Sequence, residues 1–454
     1  MKQLSELGAT LKEFFGPTVK PGLLARMAAV FTTRLWTRVW IVQELSCARN
    51  VVLLAGNESL SWEALSRFLA PKPDLGVHHF PWDRGVLASG LAGILYRVAE
   101  MDKQRAFRNR ADDKSTLLDI LARFCDRESS DPRDRVYGLL GLLPQHPTHR
   151  RLEVDYSIPS ARLFVEVTAE VIHQSQNLDI LCQSPWERRG VPQCTRLGRR
   201  TEALPSWAVD FAARELSWNV GDSYRSREIM FAGDKIRRIF SAGGDFSDGS
   251  WSFPDDDKQV LQLRGYLLGQ IGPPQAQPPV DITDLMPGIW GEEITEGEYE
   301  ATGEPKLQAL WRTLVTDCWG YPMQRLNAEN TELCVSIFRK ILSEGNAGWS
   351  SFRRELGRCL WGVERMWERI EQNWALFVSG EGLFIMARRD VRGGDYIAVV
   401  EGAKVPLIIQ LVGRDGENDL FEIVSPAYVH RFMDGSVLTL GWQGNLLKQE
   451  LFIV

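Results

Sequence analysis

The spacing of apolar residues changes along the chain, and this change limits the fold more than any other feature. In the first 210 residues apolar side chains mostly recur every three or four positions, as in amphipathic helices. In the last 80, short apolar runs alternate with Gly, Asp and Asn, as in strands joined by turns. A chain of 454 residues is also too long for one ordinary core. We expect two or three domains, the last a small all-β module at residues 375–454.

Short apolar runs between the early helical patterns predict an α/β fold for residues 1–212. The runs "NVVLLAG" and "LDILCQS" predict buried strands, and "LEVDYS" predicts a strand that ends in a turn. Alternation of strands and helices favours α/β architecture. Residues 213–305 are rich in Gly, Pro and Asp and predict an irregular linker with one strand, "QVLQLRGYLLGQI". Residues 306–374 predict a mainly helical region.

Composition excludes several classes of protein. A net charge of −6 disfavours a protein that tracks nucleic-acid backbones. The sequence contains no run of 18 apolar residues, so no membrane span is predicted. Charges within the first 25 residues argue against a secretory signal. The 7 cysteines are odd in number and none has C-x-x-C spacing, so neither a disulfide framework nor a zinc site is expected. We expect a cytoplasmic protein without a metal or cofactor.

The stretch "RLWTRVWIVQELSCARN" carries the most unusual candidate site. On a single helix, Trp36, Trp40 and Glu44 would lie on one stripe. A carboxylate beside indole rings is partly desolvated, which raises its pKa and suits it to acid–base work. The simpler interpretation is that Glu44 pairs with an arginine such as Arg34, Arg38 or Arg49.

Two further segments carry polar motifs that also have structural explanations. In "DPRDRVYGLLGL", Asp131 is a natural helix N-cap, Pro132 a natural first helical residue and Asp134 a carboxylate in the first turn. Its alternating Asp and Arg residues suit local ion pairs. In "LPSWAVDF", Trp207 is most simply a core anchor and Asp210 a turn or cap residue. No phosphate-binding loop, zinc-protease helix, nucleophile elbow or dinucleotide fingerprint is present.

In order, these segments resemble the fungal heterokaryon incompatibility domain family. The resemblance rests on "RLWTRVWIVQELSCARNVVLLAG", "DPRDRVYGLLGL", "VDYSIPSARLFVEVTAEVI" and "LPSWAVDF". The later segments "LWRTLVTD" and "GDYIAVVEGAKVPLIIQLVG" look like the region that follows the domain in many members. The positions that match the family motifs are Trp36, Gln43, Asp131, Pro132, Arg133, Asp134, Tyr137, Asp155, Tyr156, Pro205, Ser206, Trp207 and Asp210.

The resemblance implies a fold and a chemistry. The family domain is related to Toll/interleukin-receptor domains, some of which cleave NAD with a glutamate on a W-x-x-x-E helix. "WIVQE" has this spacing, so the resemblance implies Glu44 as the catalytic residue and Trp40 as its support. The opening A-L-S-Y-x-W-G, C-I-N-Q and W-L-G motifs of the family are absent. We therefore expect a partial domain, in which catalysis can be weak or lost.

Three functions follow as hypotheses. The first is an incompatibility-type signalling protein that acts in non-self recognition and programmed cell death, through protein partners or self-assembly. The second is an NAD glycohydrolase, with NAD as a substrate and no cofactor. The third is a non-catalytic interaction scaffold.

Overall fold

The fold was determined as a computed structural model, which describes most of the chain. The described residues are 33–55, 57–69, 90–108, 115–124, 127–143, 152–182, 204–212, 240–272, 296–319, 324–344, 374–388, 391–442 and 446–454.

The described residues form two compact units. The N-terminal unit contains those up to Leu163, together with Phe211 and Ala212. The C-terminal unit contains those from Phe164 to Asp210 and all those from residue 240 onward. The border therefore falls inside one helix, Ser160–Ser175, and not at the expected position 212.

Helices dominate the N-terminal unit, as their sequence spacing predicts. Ser61 caps one of them, because its Oγ accepts a hydrogen bond from the Ala64 N–H at 3.2 Å. Thr116 and Asp119 form a reciprocal capping box at the start of another. The helices that begin in this unit are α1 (Val39–Cys47), α2 (Trp62–Leu69), α3 (Gly90–Arg108), α4 (Leu117–Arg123), α5 (Asp134–Leu140) and α6 (Ser160–Ser175).

The predicted strands of this region differ from the structure. The "NVVLLAG" run forms strand β1 (Val52–Ala55), whose one partner among the described strands is β2 (Glu58–Ser61), in an antiparallel hairpin. The prediction of a buried strand was wrong, because Val52 and Leu54 are 59% and 78% exposed. The "LEVDYS" run forms no strand, because residues 152–155 have no regular secondary structure and pair with no described strand. The "LDILCQS" run forms a 3-10 helix, Asp179–Cys182, in the C-terminal unit.

A closed β-barrel forms the centre of the C-terminal unit. Its strands are β4 (Leu261–Gln270), β11 (Tyr396–Val400), β12 (Leu407–Asp415), β13 (Asn418–Pro426) and β15 (Lys448–Ile453). They pair in the order β4-β11-β12-β13-β15-β4, and the β13–β15 pair alone is parallel. The β structure therefore extends beyond the predicted module at 375–454, because β4 pairs with both β11 and β15.

A second sheet shares the apolar core of the barrel. It pairs β10 (Phe384–Arg388) with β9 (Trp374–Val378) and with β14 (Tyr428–Val429). Buried side chains of the barrel, such as Ile397, and of this sheet, such as Ile385, belong to one apolar cluster. Burial of this kind stabilises the fold by roughly 25 cal/mol per Å² of apolar surface.

Shorter elements complete the C-terminal unit. Residues 306–374 contain two described helices, as expected, together with a short hairpin. The remaining elements are β3 (Trp251–Ser252), β5 (Glu298–Tyr299), β6 (Glu304–Pro305), α7 (Lys306–Leu314), β7 (Cys318–Trp319), β8 (Gln324–Arg325), α8 (Ala328–Glu344) and α9 (Ser436–Trp442).

Candidate functional site

The tryptophan and glutamate stripe is divided between two elements. Trp36 lies in a 3-10 turn, Arg34–Thr37, and is buried. Arg38 then takes an extended conformation and forms a parallel bridge with Glu128, so α1 begins only at Val39. The prediction of one continuous stripe was therefore wrong. The backbone bonds between Glu128 and residues 37 and 39 explain the interruption.

Glu44 is exposed on α1 and is not enclosed by indole rings, in contrast to the expected desolvation. Within the described residues no ion pair holds its carboxylate, so the alternative of an arginine partner finds no support either. Trp40 is half-buried and packs over Gly138 of α5, where an added Cβ would lie 3.5 Å from its ring. The catalytic role of Glu44 stays a prediction.

Gln43 lies at a close contact between α1 and α5. A Cβ placed on Gly141 would lie 2.7 Å from the Gln43 amide, so the Gln43 side chain packs directly against the backbone at the end of α5. The motif position Gln43 thus has a packing role beside the second family motif.

The second motif begins with a two-pronged ion pair between neighbours. The Arg133 Nε and Nη2 groups donate to the two Asp131 carboxylate oxygens at 3.0 and 2.7 Å. The Arg133 backbone N–H also donates to Asp131, at 2.9 Å. The side-chain hydrogen bond from Arg133 holds the pKa of Asp131 below its usual value. This pairing builds a rigid turn before α5, which begins at Asp134 and thus later than the cap pattern predicted.

The same arginine reaches the third motif. Its Nη1 donates to the backbone carbonyl of Tyr156 and, at 3.0 Å, to that of Ile158. The guanidinium carbon also lies 5.1 Å from the centre of the Tyr156 ring. Because Nε, Nη1 and Nη2 all have protein acceptors, the role of Arg133 is to join the two segments.

Two tyrosines complete the cluster. The buried Tyr137 hydroxyl donates to the Asp155 carbonyl at 2.9 Å and accepts from the Asp155 N–H at 3.2 Å. The exposed Tyr156 hydroxyl donates to Asp134 at 2.6 Å. That hydrogen bond, with burial and the Asp134 charge, raises the pKa of Tyr156 to about 12. The structure thus brings together Asp131, Arg133, Asp134, Tyr137, Asp155 and Tyr156, here called the motif cluster.

An open cleft of about 550 Å³ lies beside the motif cluster. The cleft is shallow and open to solvent. Glu44 does not line it. The lining residues are Ser130, Asp131, Pro132, Arg133, Pro159 and Ser160.

The fourth motif lies in the C-terminal unit and is structural. Trp207 is fully buried, packs against Phe253 at 5.0 Å, and donates its indole N–H to the Gln259 carbonyl, which confirms the prediction of a core anchor. The Ser206 hydroxyl accepts from the Ile423 N–H at 2.9 Å. Pro205 and Asp210 are buried on either side.

Sequence reasoning missed a buried polar network in the C-terminal unit. His430 contacts the Glu304 carboxylate at 2.5 Å and the Tyr428 hydroxyl at 2.9 Å. Burial alone would raise the pKa of Glu304, but hydrogen bonds from His430, Thr302 and Gln308 lower it to about 2. His430 and Glu304 are 126 residues apart, so no local pattern could have revealed their pairing.

The described residues also bear on metal binding and membrane insertion. Within those ranges, no group of three or more His, Cys, Asp or Glu side chains is arranged to hold a metal ion. The helices of the same ranges include none that is long and apolar enough to cross a bilayer.

Comparison with known proteins found no match to a family model, a curated protein or a solved structure. The resemblance to the incompatibility family, and with it the Toll/interleukin-receptor-like fold, therefore stays a prediction.

Proposed function

We propose that the chain is a heterokaryon-incompatibility-type protein, which acts in fungal non-self recognition and triggers programmed cell death. The motif cluster carries this proposal. Two of the motifs that resemble the family, "DPRDRVYGLLGL" and the segment that begins with "VDYSIP", are joined by hydrogen bonds.

The contacts within the cluster give a physical reason for the two motifs to occur together. Arg133 binds the carbonyls of Tyr156 and Ile158 while Asp131 holds the other side of its guanidinium. Tyr137 fixes the same segment at Asp155. A motif pair whose side chains depend on each other supports common ancestry better than either motif does alone.

Assembly is the mode of action that the described residues favour. Glu44 is exposed and lies outside the lining of the cleft, so the features expected of a desolvated acid are not found on α1. The motif cluster instead presents a hydrogen-bonded surface beside an open cleft, which suits recognition of a partner.

Expression in fungal hyphae tests the proposal. We expect the wild-type chain to cause a growth defect or cell death, and Arg133→Gln to weaken this effect, because the segment at 155–158 loses one of its two anchors. Arg414→Gln is the matched control, since it also breaks an arginine–aspartate pair, but an exposed one with Asp419. Normal growth with wild-type protein present would favour the interaction scaffold and contradict the proposal.

A separate assay addresses NAD cleavage. Purified wild-type chain and Glu44→Gln are incubated with NAD, and the released nicotinamide is measured. Release by the wild type that Glu44→Gln abolishes would establish the glycohydrolase and replace assembly as the mode of action. No release, or equal release from both proteins, would remove Glu44 from the mechanism.

A further inference from the structure

The segment from Leu152 to Asp155 has no regular secondary structure, but both backbone groups of Asp155 point to one side, as they do in an extended chain. It runs without a turn or bend, and its residues are half-buried or exposed. Among the described residues, no strand pairs with it. A single strand with open backbone groups is a template for another chain.

The hydrogen bonds of Asp155 show which edge of this segment is open. In an extended strand, the N–H and C=O of one residue point to the same edge, and those of the next residue point to the opposite edge. Both backbone groups of Asp155 bind the Tyr137 hydroxyl, so this edge faces α5. The groups of Val154 and Leu152 therefore point away from α5, and they make no backbone hydrogen bond within the described part of the chain.

The side chains of the segment give the open edge a chemical preference. Leu152 and Val154 lie on one face by alternation, and Val154 is 58% exposed. Glu153 and Asp155 lie on the other face and are both exposed. Hydrogen bonding from Ser157 lowers the pKa of Asp155. The neighbouring cation, Arg133, is already paired with Asp131.

We propose that the edge of Leu152–Asp155 binds an extended segment of a partner protein in which apolar and basic side chains alternate. The segment adds as a strand, with its backbone bonded to the outward groups of Leu152 and Val154. Its apolar side chains cover Val154, and its basic side chains face Glu153 and Asp155. Arg133 joins this strand to the adjacent cleft, because it binds the carbonyls of Tyr156 and Ile158 and also lines the cleft.

This inference does not depend on the proposed function, because it predicts binding by the purified full-length chain and no cellular effect. The probe is a short labelled peptide in which lysine and valine alternate, and its twin carries glutamate in place of lysine. Fluorescence anisotropy measures the affinity of both. We expect the wild-type chain to bind the lysine peptide about tenfold more tightly than the glutamate peptide.

Two variants test the contacts separately. Glu153→Lys should reverse the preference in favour of the glutamate peptide, which a folding defect cannot imitate, whereas Glu63→Lys makes the same charge change on α2 and should not. Val154→Asp should weaken binding of both peptides, whereas Leu54→Asp, at an exposed apolar position of β1, should not.

Three outcomes would overturn the proposal. The first is equal affinity of the wild type for both peptides, and the second is equal behaviour of Glu153→Lys and Glu63→Lys. The third is self-association of the wild type that increases with concentration in sedimentation experiments and is abolished by Val154→Asp. This result would assign the edge to a second copy of the chain.

Discussion

Removal of one hydroxyl group should test the core of the motif cluster. Tyr137→Phe keeps the buried ring and its edge-to-face contact with Tyr156, whose ring centre lies 5.1 Å away. It removes the two hydrogen bonds that the hydroxyl makes with the Asp155 backbone. Hydrogen bonds of this kind contribute about 0.5–1.5 kcal/mol each, so the upper limit of the cost is about 3 kcal/mol.

The exposure of Asp155 reduces this cost. Water can replace the tyrosine at its N–H and C=O, because the residue lies on the surface. We therefore expect the variant to lose about 1 kcal/mol of stability, with the loss confined to the segment around Asp155. Such a loss corresponds to about fivefold faster exchange of the Asp155 amide hydrogen through local opening.

Amide exchange followed by NMR or mass spectrometry provides the assay, with Tyr156→Phe as the control. Tyr156 is 45% exposed and its hydroxyl binds the side chain of Asp134, so its loss should leave exchange at Asp155 unchanged. Unchanged exchange in Tyr137→Phe, or equal effects of the two variants, would refute the conclusion that Tyr137 anchors this segment.

Three further predictions concern the C-terminal unit. The carboxylate of Glu304, with its pKa lowered to about 2 beside His430, stabilises the unit fully above pH 4.5. The free energy of unfolding should decrease by roughly 3 kcal/mol as the pH falls from 4.5 to 2, and Glu304→Gln should flatten this pH dependence. Lys404→Met should cost about 3–5 kcal/mol in urea unfolding, because it leaves the Asp179 carboxylate buried without the ammonium group 2.8 Å away. Gly243→Ala should lower the melting temperature sharply, because its Cβ would lie 1.9 Å from a backbone oxygen of β11.

Each of these predictions has a clear contrary result. A pH profile of Glu304→Gln that matches the wild type would show that the carboxylate is not the titrating group. A cost below 1 kcal/mol for Lys404→Met would show that water reaches the buried pair. An unchanged melting temperature for Gly243→Ala would mean that the loop moves freely away from β11.

Local sequence patterns predicted most helices because their caps and periodicity lie within a few residues of each other. Ser61 caps α2 from the position just before its first residue, and the helical spacing after Pro159 predicts α6. Strand burial was harder to predict. The apolar run at β1 is exposed because β2 is its sole described partner, and burial of a strand depends on partners that the run itself does not encode.

The candidate site was predicted in its residues but not in its geometry. Asp131, Arg133, Tyr137 and Tyr156 were all identified from the motifs. The hydrogen bonds that join them were not predicted, because Arg133 and the Tyr156 carbonyl that it binds are 23 residues apart in the sequence. The interruption of the tryptophan stripe depends on a backbone bridge to Glu128, 90 residues from Arg38, which helical periodicity cannot anticipate.

The closure of the β-barrel restricts how the chain can acquire its structure during synthesis. Strand β4 leaves the ribosome long before either of its neighbours, β11 and β15. Until residue 453 has been made, at least one edge of β4 stays open, and a nascent chain with such an edge is exposed to mispairing. The barrel therefore assembles only after translation of its last strand, and fragments that stop before residue 448 should need chaperones or aggregate.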